Sequence, residues 1–201
     1  MRAQFFFDIE CRAGTAASTP VLLSQAWRQL HTRASRHEHV AFAVDFPEIV
    51  AQQPGAARDF PLGSTLRAFT EEREAADALA DALDHLLDAS THHVRRTRAA
   101  LAPADSAKLG WRIWHMQRLS GMRLPASTPV QERQAALARR FALVEQQRAR
   151  QASLPFVWMR SSTGQVFKLV LEHELTSIPA FGEPNGYGLS RKSQQVSVPA
   201  V

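Results

Sequence analysis

Cysteine is almost absent from this 201-residue chain: Cys11 is the only one. One thiol excludes an intrachain disulfide and any zinc site built on two or more cysteines. Long apolar runs are lacking too; none approaches the ~18 residues of a membrane span. The opening MRAQFFFDIECR has a short apolar run and carries Asp8 and Glu10, so it does not read as a secretory signal. A cytoplasmic protein is the expectation. There is no P-loop, no G-x-G-x-x-G and no H-E-x-x-H. The tandem His92-His93 does not replace them, because neighbours on a strand point to opposite sides. Clustered carboxylates of the kind two-metal nucleases need are missing as well. The expectation is therefore no cofactor and no metal.

Apolar residues make up 45% of the chain, enough to bury a core. The length fits one large domain or two small ones. The net charge is +5, but residues 91–150 hold twelve Arg or Lys against three acids, a net of +9, so the remainder sums to −4. Such asymmetry points to a polyanion partner, nucleic acid first. A solvated arginine-rich helix face gives the same count.

QFFFDIE (4–10) reads as a strand. A helix follows from Pro20 to about Ser35, with Thr19 as N-cap and an apolar face of Leu22, Leu23, Ala26, Trp27, Leu30 and Ala34. Alternation marks HVAFAVDF (39–46) as a second strand, and 62–69 is the candidate for a third. Glu71 to Asp88 is an acidic amphipathic helix, and Val94 to Ala99 a fourth strand. The order βαββαβ is that of a ferredoxin-like unit, so the fold class is α+β. The chain divides into this unit over 1–93 and a helical and β-hairpin domain over 94–201. In the second part, Pro103 to Gly121 reads as a helix carrying Lys108, Arg112 and His115 at helical spacing, with Arg118 at the edge. Thr128-Pro129-Val130-Gln131 opens a second helix with the stripe Leu137, Phe141 and Val144. A final strand closes the chain.

Three groups of residues invite a chemical reading. His31 lies four residues after Trp27, at the margin of an apolar face; it is either a partly buried helix histidine or a general acid–base, for which the ordinary histidine pKa near ~6.5 is suited. Arg96 and Arg98 share one side of a strand, where two guanidiniums suit successive phosphates or a bidentate contact to guanine. The hairpin LPFVWMRSSTGQVFKLVL (154–171) carries Ser161, Ser162, Thr163, Gly164 and Gln165 at its turn. A plain turn needs only glycine and one polar residue. Hydroxyls and an amide beside a close-approaching glycine suit phosphate and ribose oxygens.

Together with Tyr187-Gly188-Leu189-Ser190, this hairpin resembles the CRISPR repeat-processing endoribonucleases of type I-F systems. Asp8-Ile9 in the first strand, Leu30-His31 late in the first helix and Phe46-Pro47 after the second strand agree with the pattern. The resemblance implies a ferredoxin-like domain and a smaller domain that docks an RNA stem-loop through an arginine-rich helix. It implies cutting of precursor RNA at the stem base; the missing carboxylate clusters point to a metal-independent cut, by attack of a ribose 2′-hydroxyl. The enzyme then stays on the guide RNA among the backbone and other subunits of the effector complex. His31 matches the catalytic histidine, Tyr187 the active-site tyrosine, and Ser161 or Ser162 the catalytic serine. The turn is one residue shorter than the family's, so both serines stay open. Arg96 matches a guanine reader, while Arg98 stands where the family has a glutamine. Phe167 matches the aromatic under the last base pair; Lys108, Arg112, His115, Arg118 and Gln165 complete the RNA-binding set. A non-catalytic subunit that binds the guide stem-loop is the alternative.

Overall fold

The computed structural model describes residues 1–14, 17–36, 40–49, 62–84, 93–103, 105, 108–117, 127, 129–161 and 163–200. Its first half runs β1 (Phe5–Cys11), α1 (Thr19–Arg36), β2 (Ala43–Asp45), β3 (Thr65–Thr70), α2 (Arg73–Asp81) and β4 (Val94–Arg96). The strands form one antiparallel sheet in the order β2-β3-β1-β4. This is the ferredoxin-like arrangement expected from the order of elements. Phe7, Ile9 and Cys11 point from β1 into the core at the period of a strand. They meet the α1 face, where Leu22, Leu23, Ala26, Trp27, Leu30 and Ala34 are all buried as their spacing predicts. Burial alone pushes the Cys11 thiol up to about 12, so it stays protonated and inert.

Several boundaries differ from expectation. The Ser18 carbonyl takes the first helical bonds, from Val21 and Leu22, so α1 opens one residue earlier than a Thr19 cap implies. A short strand β5 (Ala100–Leu101) pairs with Phe5 and Phe6, carrying the first sheet past residue 93 to Leu101. The expected far ends of the second strand (39) and of the acidic helix (85–88) lie outside the described residues.

The second sheet comprises β6 (Trp111–Gln117), β7 (Phe156–Arg160), β8 (Val166–Thr176) and β9 (Val198–Pro199), in the order β7-β8-β6-β9. The 154–171 hairpin forms as its pattern predicts. The helix expected over 103–121 does not: residues 111–117 are β6, paired along their whole length with β8. The apparent helical stripe is thereby split. Arg112 and Trp114 face the first sheet, while His115 turns to the opposite side. The basic helix of this half is α3 (Arg133–Ala152), with five arginines and one glutamate. Of its expected apolar stripe only Val144 is buried; Leu137 and Phe141 are exposed.

A buried carboxylate joins the two sheets. Asp45 of β2 is fully buried and accepts from Arg112 Nη1 at 3.0 and 3.1 Å and from Trp114 Nε1 at 2.8 Å. Around it, Trp114 meets Phe46 edge-on at 4.9 Å, and Phe46 meets Trp27 at 5.4 Å. His173 of β8 lies against Trp114 at 4.8 Å. Its pKa is lowered from 6.5, first by burial and then by the Arg112 charge, with Asp45 and Glu172 opposing. The unfolded chain binds that proton near the ordinary value, the folded one only below it. This group therefore leaves full stability above pH ~6.5 and removes some as the pH falls toward the lowered folded value. Thermal melts between pH 7.5 and 5 should show a shallower decline for His173→Gln than for the natural chain; equal slopes would refute the assignment.

Candidate active site

The late part of α1 meets the C-terminal loop 184–190 at a small aromatic cluster. His31 follows the fully buried Leu30, so it sits at the rim of the core. Its ring stacks on Tyr187, with centroids 4.1 Å apart and planes 16° from parallel. His31 Nδ1 lies 2.6 Å from the Gly186 carbonyl oxygen. A carbonyl oxygen only accepts, so in the neutral ring Nδ1 carries the proton and Nε2 keeps the lone pair. That is the tautomer a general base needs.

The loop is built to hold this geometry. Asn185 Oδ1 accepts from the Tyr187 and Leu189 amides at 2.8 and 3.2 Å. Trp27 Nε1 donates to the Tyr187 carbonyl at 2.8 Å, tying the loop to α1. The Gly188 carbonyl accepts from Val44 of β2, and the Ser190 amide donates to Trp114 of β6. The Tyr-Gly-Leu-Ser segment thus threads between the two sheets. Gly188 has φ 75°, and a Cβ there would stand 2.8 Å from the Phe42 ring, so only glycine fits.

Phe167 of β8 approaches Tyr187 edge-on at 6.3 Å. Together with Met116, Gln117, Gln151 and Lys168 these two rings line a cavity of about 550 Å³. His31, Tyr187 and Phe167, far apart in the chain, therefore converge. Ser161 is committed locally. Its Oγ accepts from the Gln165 amide at 3.0 Å and meets Thr163 Oγ1 at 2.9 Å, closing the hairpin turn. Gly164 at the tip has φ 86° and open space around it. Ser162 lies outside the described residues; Gln165 is exposed.

The cationic residues divide by their partners. Arg96 of β4 forms a forked ion pair with Asp84 at 2.8 and 3.1 Å and a further one with Asp81 at 3.1 Å. The bond to Asp84 holds its pKa above the ordinary arginine value, against a smaller opposing effect of burial. Arg98 is exposed, and the exposed Lys108 pairs with Asp105. Arg112 is spent on Asp45. His115 Nε2 lies 3.4 Å from Glu174, and its buried Nδ1 has no partner among the described residues. Arg118 lies outside them. Beside His115 a polar groove of about 540 Å³ opens between the outer face of the second sheet and α3. There Glu172 receives both Gln117 and Arg150, and Gln151 donates to the Gln117 carbonyl. Gln117 and Gln151 line both this groove and the cavity at Phe167. Reading by helical period missed Gln117. The Asn185-Gly186 pair is a turn signal, but nothing in it shows the loop's hold on His31.

No curated protein matches the chain. A family model described as CRISPR-associated protein (Cas_Csy4) matches residues 6–201. The match spans the histidine, the hairpin and the Tyr-Gly-Leu-Ser loop alike, and the chain belongs to this family, the repeat-processing endoribonucleases of type I-F CRISPR systems.

Proposed function

We propose that the protein binds the stem-loop of a CRISPR repeat, cuts the precursor at the stem base without a metal, and stays on the guide RNA as an effector-complex subunit. One observation carries the chemistry: the Gly186 carbonyl holds Nδ1 of a histidine whose ring plane is set by Tyr187, leaving Nε2 as the base. His31 Nε2 takes the proton of the 2′-hydroxyl at the cut site. The 2′-oxygen attacks the adjacent phosphorus, the bond to the 5′-oxygen breaks, and that oxygen takes up a proton. The products are a 2′,3′-cyclic phosphate and a 5′-hydroxyl. Ser161 or Ser162 orients the attacking hydroxyl, and Phe167 stacks under the last base pair. Exposed Arg98, Lys108 and Gln165, with His115 and Arg118, meet the RNA alongside the α3 arginines. Arg96 reaches a base by exchanging its surface aspartates for RNA. Arg112 cannot make that exchange, since its partner Asp45 is fully buried.

Cleavage of a labelled cognate repeat in EDTA tests the mechanism. Full cutting of the all-ribose RNA is expected, and none of an RNA with a single 2′-deoxy at the cut site. Loss of cutting in EDTA, or persistent cutting of the deoxy RNA, would refute it. The non-catalytic reading draws support from Ser161, whose hydroxyl is engaged in its own turn. Multiple turnover, or one complete cut per enzyme, would exclude that reading.

A further inference from the structure

A groove of about 590 Å³ runs between α1 and the free edge of β7. Among the described residues β7 ends its sheet, paired to β8 alone, and Ser24 Oγ donates to the Trp158 carbonyl at 2.5 Å to join helix and edge. Trp158 lines the groove with 58% of its surface exposed, an unusual cost for the largest apolar side chain. Its ring is held, not loose. Phe156 meets it edge-on at 5.9 Å, and Lys168 Nζ caps Phe156 at 3.9 Å. Among the described residues the charge around it has one sign: Arg28 and Arg160 line the groove, no Asp or Glu does, and neither arginine has an ion-pair partner. An exposed aromatic plane flanked by unpaired cations is the chemistry that takes single-stranded nucleic acid. An apolar protein partner has no use for two uncompensated arginines.

The groove also points at the candidate active site along both walls. Val21, Ser24, Gln25 and Arg28 recur on one helical face, and His31 follows Arg28 by three residues, about one turn. On the other wall, Arg160 ends β7 directly before Ser161. We infer that this groove binds the single-stranded nucleotides 3′ of the scissile phosphate, one base stacking on Trp158 while Arg28 and Arg160 meet the phosphates. The inference rests on the proposed function. With the stem on the Phe167 side of His31, the strand that leaves the cut site on the far side is the 3′ flank.

The test uses two RNAs that cannot be cut, both carrying a 2′-deoxy at the cut site. One ends with the nucleotide after the scissile phosphate; the other continues for three more. The natural chain should bind the longer RNA about tenfold more tightly, since a base stacked on an aromatic contributes on that order. Trp158→Ala should erase this gain while binding the shorter RNA as before, and Trp158→Phe should keep part of it. Arg28→Gln with Arg160→Gln should weaken the longer RNA alone. Quenching of tryptophan emission should accompany binding of the longer RNA and disappear in Trp158→Phe. Equal affinities for the two RNAs, as expected if the groove serves a protein partner, would overturn the inference and leave the proposed function standing. So would a gain from the flank that Trp158→Ala retains. Failure of the natural chain to bind even the shorter stem-loop would instead defeat the functional reading itself.

Discussion

His31→Ala is expected to lower the cleavage rate by about 10²–10⁴, the range a positioned general base supplies. Affinity for the stem-loop should not change. The separation follows from the geometry. Among the described residues, the only hydrogen bond of the His31 ring goes to the Gly186 carbonyl, and its face lies on Tyr187. Neither contact belongs to the α3 arginines or to the groove beside His115. The side chain sits at the rim of the core, so its removal leaves no large cavity. Single-turnover cleavage and filter binding on the same preparation check both halves. A variant that loses binding in proportion to rate would show that the histidine holds RNA and does no proton transfer. Unchanged cleavage would remove it from the site altogether.

The second large effect is on stability. Asp45→Ala should destabilise the fold by about 3–5 kcal/mol, because it leaves the Arg112 guanidinium in a largely buried position without its charge partner. For a chain of this size the melting temperature should fall by roughly 6–20 °C. The cause is testable through the partner. Asp45→Leu combined with Arg112→Met removes both charges and should recover much of the loss, as replacements of buried ion pairs by apolar residues often do. A double variant no more stable than Asp45→Ala would show that packing around Trp114, and not the stranded charge, sets the cost. The cleavage rate of the recovered double variant should also return, since the loop bearing Tyr187 is anchored to the β2 and β6 backbones.

How much of this was legible in the sequence depends on the distance over which each decision was made. The elements of the first half follow local patterns: Phe7, Ile9 and Cys11 alternate, and the α1 face recurs at 3.6, so both were readable before any partner was placed. The hairpin followed from its turn residues. The candidate site was readable only through the likeness of its motifs. Nothing local says that Tyr187 meets both His31 and Phe167, or that a glycine carbonyl fixes the histidine tautomer.

Strand β6 was misread for a physical reason. A strand shows itself by apolar residues on its inward face, and the inward face of β6 begins with Arg112. An arginine reads as solvent-facing unless a buried carboxylate awaits it, and Asp45 lies 67 positions away. With that pairing invisible, Lys108, Arg112 and His115 fell into a false helical period, and the basic helix was placed too early. The sequence by itself determined the charge asymmetry, the ferredoxin-like order, the hairpin and the identity of the family. Only the tertiary structure decided which cations are free. Arg112–Asp45 forms between strands of two different sheets and Arg96–Asp84 between β4 and the segment that follows α2, and no periodicity within one element carries either contact.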